Sequence, residues 1–71
     1  MAIATLKIQG MHCNHCVRAV TAALEQLDGV REARVDLSQG RAVVEYDETR
    51  VTTRQLVGAV MDEGYTAEET A

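Results

Sequence analysis

Two short aliphatic stripes at helical spacing constrain this chain more than any other feature. Val17, Val20, Leu24 and Leu27 form the first; Leu56, Ala59 and Val60, with Val57 beside them, form the second. Each stripe closes on acid and glycine, at Asp28-Gly29 and at Asp62-Glu63-Gly64, and then enters an extended segment. Glycine suits the left-handed position at a helix end. The first helix is expected over residues 15–27, with Ala19, Ala22 and Ala23 adding propensity. The second begins at Thr52, an N-cap with Gln55 three residues on as the other half of a capping box, and stops at Gly64.

Both stripes need an apolar surface to cover, and residues of period two supply it. A first strand is expected over residues 3–8, with Leu6 and Ile8 on one face. A second, over 30–37, places Ala33, Val35 and Leu37 together; a third, over 41–46, places Ala42, Val44 and Tyr46 together. The turn residues Ser38-Gln39-Gly40 join these two as an antiparallel hairpin. A short last strand is expected over 65–68, with Glu68-Glu69 as a solvated tail. The order is strand–helix–strand twice over, the split βαβ arrangement. It predicts an α+β fold, a four-stranded antiparallel sheet with two helices on one face. Residues 1–71 are expected to be a single domain, since so short a chain supports no more.

Charge and composition exclude several functions. Seven Lys and Arg stand against eleven Asp and Glu, a net charge of −4, and the chain has no Trp or Phe and two Tyr. A nucleic-acid binder needs a basic face and aromatic platforms, so no nucleic-acid partner is expected. No apolar run approaches the roughly 20 residues of a membrane-spanning helix, so no membrane insertion is expected. The start has no basic segment followed by a long apolar core. The expected location is cytoplasmic, where thiols stay reduced.

The two cysteines are Cys13 and Cys16, three positions apart. Closing so short a loop removes little unfolded-state entropy, so the pair is chemistry rather than a staple. Cys16 is expected in the first turn of the first helix and Cys13 just before it. Unpaired N–H groups and the positive dipole there favour thiolates. Two thiolates at this spacing can face one soft ion such as Cu(I), whereas a structural zinc site wants four ligands. Other readings of a CxxC fit less well. A thioredoxin-like pair lacks its proline here, because the chain has no Pro. A c-type haem wants His after the second Cys, and that residue is Val17. No Cys or His follows Cys16 to complete a zinc finger or to serve as a distant catalytic base, so no enzyme is expected. An incidental pair or a reversible disulfide is the bland alternative.

The stretch Gly10-Met11-His12-Cys13-Asn14-His15-Cys16, followed by Val17, Val20, Leu24, Gly29-Val30 and later Gly64-Tyr65, resembles the heavy-metal-associated domain family. Its G-M-x-C-x-x-C signature is matched in full, and the resemblance runs over essentially the whole chain. It implies a ferredoxin-like βαββαβ fold and cytosolic copper trafficking, most like the small bacterial copper chaperones. By this resemblance Cys13 and Cys16 are the Cu(I) ligands, and the partner is a copper-transporting P-type ATPase with its own CxxC domain. Met11 corresponds to a family residue that packs under the loop without binding metal. Tyr65 matches a loop position near the metal and reads as a packing residue whose hydroxyl reaches toward it.

His12 and His15 depart from commoner members, which often carry Thr and a small residue there. Both read first as exposed loop imidazoles. A sharper reading makes His15 an accessory group that tunes the thiols or becomes a third ligand when two copies share copper. The expected state is a monomer without metal, with a metal-bridged dimer as the alternative. Zinc-handling relatives tend to carry Asp at the position of His12, which favours Cu(I) over Zn(II) here. The alternative functions are a regulatory metal-binding domain of a P-type ATPase, a Zn(II) or other soft-metal carrier, and a thiol redox protein. Arg18, Asp62 and Glu63 are expected to supply charge at the docking surface.

Overall fold

The computed structural model describes residues 2–70. Its elements run β1 (Ala2–Gln9), α1 (Asn14–Glu25), β2 (Val30–Asp36), β3 (Arg41–Tyr46), α2 (Thr53–Asp62) and β4 (Thr66–Thr70). The strands form one sheet in the order β2-β3-β1-β4, and every neighbouring pair is antiparallel. This is the βαββαβ arrangement that the doubled strand–helix–strand order predicts, and both helices bury their stripes on the same sheet face.

That face is lined by Ala4, Leu6 and Ile8 of β1, Ala33 of β2, Ala42, Val44 and Tyr46 of β3, and Ala67 of β4. Val20 and Leu24 of α1 and Leu56 and Val60 of α2 cover it. Leu6, Leu24 and Leu56 have no exposed surface and are the largest side chains at the centre. With no Phe or Trp, the core relies on close packing of aliphatics, where loss of one side chain leaves a void.

Several boundaries differ from expectation, each for a local reason. Helix α1 stops at Glu25, two residues early, because the chain tightens: the Leu27 N–H donates to the Leu24 carbonyl at 3.2 Å. Leu27 still packs against the core from outside the helix. Strand β2 ends at Asp36 and leaves Leu37 in the turn. The Asp36 carboxylate accepts from the Ser38 N–H at 3.0 Å and the Ser38 hydroxyl at 2.8 Å, so the turn begins one residue sooner. Glu68 and Glu69 are not a free tail. They lie within β4, opposite Lys7 and Leu6 of β1. An edge strand leaves most side chains in water, so a charged segment can pair by its backbone and discourage further strand addition. Tyr65 lies just before that strand.

The second helix begins as expected. Gln55 N–H donates to Thr52 Oγ1 at 3.3 Å, and Thr52 N–H donates to Gln55 Oε1 at 2.9 Å. Val51, one residue earlier, is 2% exposed and joins the same buried cluster as Leu56, the two positions of a hydrophobic staple. Gly29 has φ +105°, and a Cβ there would lie 2.8 Å from the Arg50 Cβ. The turn after α1 therefore requires glycine by both conformation and space.

Candidate metal centre

The β1–β4 pairing positions the site. Gln9 faces Thr66 across that ladder, so the loop leaving β1 and the turn entering β4 emerge side by side. The first contributes residues 10–13 and the second Tyr65. Gly10 has φ +103°, and a Cβ there would lie 3.3 Å from Tyr65 Cδ1. The ring of Tyr65 thus lies against bare backbone in the metal-loop signature.

Cys13 is the N-cap of α1, in extended conformation at φ −158°, with no side-chain cap hydrogen bond. Its carbonyl starts the helix by accepting from Cys16 N–H at 3.1 Å and Val17 N–H at 3.3 Å. The Cys13 thiol is thereby left free for other chemistry and is exposed. Cys16 sits in the first turn and is half-buried. The two sulfurs are 3.9 Å apart. A disulfide needs about 2.05 Å, so both are free thiols. At about 2.3 Å per bond, the length of zinc–thiolate contacts, one ion can touch both sulfurs with little movement.

The environment favours negative charge on Cys16. Its pKa is lowered from 9.0 to about 7, first by the backbone N–H of His12, next by the Tyr65 hydroxyl, with smaller help from the Cys13 N–H and thiol; desolvation opposes the shift. Among the described residues neither His12 nor Tyr65 makes a hydrogen bond of ordinary length and angle to that sulfur, so both act as nearby dipoles. The converse holds at Tyr65, whose phenol is raised above its usual value chiefly by facing Cys16. The dominant donors come from the loop and the second turn, and the helix start, the expected source, adds the smaller contribution of the Cys13 N–H.

Met11 is half-buried and packs against the core. His12 and His15 are exposed. Among the described residues no group of three or more His, Cys, Asp or Glu side chains is poised to hold a metal, so neither imidazole joins the sulfurs in the isolated chain. Arg18, Asp62 and Glu63 are exposed at this end of the molecule. The pattern of stripes did not single out Met61, which is 54% exposed in the last turn of α2, beside Asp62 and Glu63. Its signal was an apolar residue one position past a buried one on a helix.

Among the described residues no helix is long and apolar enough to cross a membrane. Comparison with known proteins agrees with the fold. The copper chaperone CopZ of Staphylococcus saprophyticus is 45% identical over 65 residues, covering 92% of this chain and 96% of that protein. A solved CopZ metallochaperone superposes with a TM-score of 0.92 at 39% identity, covering 94% of this chain and all of the other. A copper-binding domain from HMA7, a P-type ATPase, superposes with a TM-score of 0.98 at 35% identity, covering this whole chain and 96% of that one. The sequence profile of the heavy-metal-associated domain matches residues 5–66, and with the C-x-x-C thiols at its first helix this chain belongs to that family.

Proposed function

We propose that this protein is a copper chaperone: it carries Cu(I) between Cys13 and Cys16 and releases it to a partner by ligand exchange. The observation that carries the reading is the pair of free thiols 3.9 Å apart at an exposed helix start. Soft thiolates suit a soft monovalent ion, and two of them satisfy its low coordination number. The lowered pKa of Cys16 keeps much of it deprotonated near neutrality, so a proton competes weakly for the sulfur. Exposed Cys13 can leave first when an incoming thiolate arrives, with half-buried Cys16 holding the ion until transfer is complete.

The partner is a copper-transporting P-type ATPase bearing its own C-x-x-C domain. Likeness to the ATPase copper-binding domain supports this, since two domains of one shape can share an ion symmetrically. The docking rim is the metal loop with Arg18, Met61, Asp62 and Glu63, charges that steer a short-lived encounter. His15 stays in solvent until a partner brings a second sulfur pair, when it becomes an accessory ligand. The chain is a monomer without metal, acts in the cytosol and is a carrier, not an enzyme. Met11 and Tyr65 support the loop from behind.

Titration of the reduced protein with Cu(I) against a competing chelator, run beside Zn(II), tests the proposal. Tight one-to-one Cu(I) binding that is lost in the Cys13→Ser, Cys16→Ser protein is the expected result. Equal binding by the double variant, or a preference for Zn(II), overturns it.

A further inference from the structure

The sheet face turned away from the helices carries a row of four charged residues crossing all four strands. The register sets Asp36 opposite Arg41, Arg41 opposite Lys7, and Lys7 opposite Glu68. The two cations are thus central neighbours, an arrangement that is repulsive by itself. The flanking acids do not close on them. Asp36 is engaged by Ser38 in the adjoining turn at 2.8 and 3.0 Å. Among the described residues neither Lys7 nor Arg41 has a carboxylate within ion-pair distance, Glu68 included.

Beside this pair the surface sinks into a concavity of about 460 Å³ lined by Thr5, Lys7, Gln39, Arg41 and Thr70. The Thr70 hydroxyl is spent, donating to the Thr5 carbonyl at 3.1 Å. The Thr5 hydroxyl and Gln39 amide remain as donors next to the ammonium and guanidinium. A planar fork plus a point charge, with neutral donors around them, matches the oxygens of a phosphate group.

We infer that this concavity binds a phosphate group, held by Lys7 and Arg41, with Thr5 and Gln39 completing the donor set. The bound anion relieves the repulsion between the two cross-strand cations. None of these residues belongs to the thiol pair, so the site stands whether or not copper is the cargo. Free phosphate, a phosphate ester or a phosphomonoester lipid headgroup carries the same chemistry.

The test follows backbone amide signals by nuclear magnetic resonance while inorganic phosphate is added to reduced protein at low salt. The expected result is saturable shifts at Thr5, Lys7, Gln39, Arg41 and Thr70, absent with chloride at matched ionic strength. Lys7→Gln with Arg41→Gln removes the saturation, Lys7→Arg keeps it, and Cu(I) affinity stays the same in both. A second arm measures sedimentation with phosphatidylcholine vesicles with and without phosphatidic acid. Vesicle binding that the double variant loses identifies a lipid source; saturation by free phosphate without vesicle binding identifies a soluble one. Shifts spread over Arg31, Arg54 and the other cations, or no saturation in either arm, overturn the inference.

Discussion

Tyr65 rests against Gly10, close enough that a Cβ on the glycine would lie 3.3 Å from the ring. That contact joins the loop bearing Cys13 to the turn entering β4, and it holds the Tyr65 hydroxyl near the Cys16 sulfur. The first prediction concerns this contact. Gly10→Ala puts a side chain at φ +103° and presses on the ring. Stability to urea should fall by about 1–2 kcal/mol, and the Tyr65 ring resonances should move. An unchanged midpoint with unmoved ring signals would show that the contact carries no constraint.

Removing the hydroxyl separates packing from charge. Tyr65→Phe should retain the fold and raise the Cys16 pKa above about 7, because one group that favours the thiolate is gone. Thiol alkylation rate against pH reads this directly, with the inflection shifting to higher pH. The same lowered pKa sets a pH window for stability. A thiol depressed from 9.0 to about 7 in the folded state contributes stability that is complete above pH 9 and is lost as pH falls through 7. Cu(I) affinity should likewise rise with pH toward about 7 and then gain less from Cys16.

Cysteine replacement should cost binding without costing the fold. Cys13 makes no side-chain cap bond, and its thiol is exposed. Serine is in addition a favoured N-cap residue. The Cys13→Ser, Cys16→Ser protein should therefore melt within a few degrees of the parent while losing tight Cu(I) binding. Circular dichroism melts and chelator competition, run on one preparation, check both halves.

The far end of the molecule should show the opposite split. Thr52→Ala removes the hydroxyl oxygen that accepts from Gln55 N–H, leaving the reciprocal backbone bond to Gln55 Oε1, and should destabilise by about 1 kcal/mol. Val51→Ala empties a fully buried site and should destabilise by about 2 kcal/mol. Neither should alter Cu(I) affinity, because both residues lie at the start of α2, away from the metal loop. A fall in affinity beyond that explained by unfolding would mean that the helix start is coupled to the site.

Much of the fold was legible because local rules agreed with one another. The stripes of α1 and α2, the Thr52–Gln55 box and the Ser38-Gln39-Gly40 turn each rest on neighbours in sequence. Val51 escaped notice because its burial comes from a long-range cluster, while its own segment has no period. Glu68 and Glu69 read as tail because two adjacent acids look like solvated chain. They enter a strand because β1 offers an unpaired edge, and backbone pairing is indifferent to side chains that remain in water.

The thiol pair was legible for the same local reason, being set three positions apart at the start of a recognisable helix. Periodicity, caps and that spacing are properties of short stretches, so the chain alone determined its elements, their order and its pair of thiols. Only tertiary structure decided which dipoles face Cys16 and that Lys7 and Arg41 meet across the sheet. Those outcomes depend on register between strands distant in sequence, and register is set by burying one continuous apolar face.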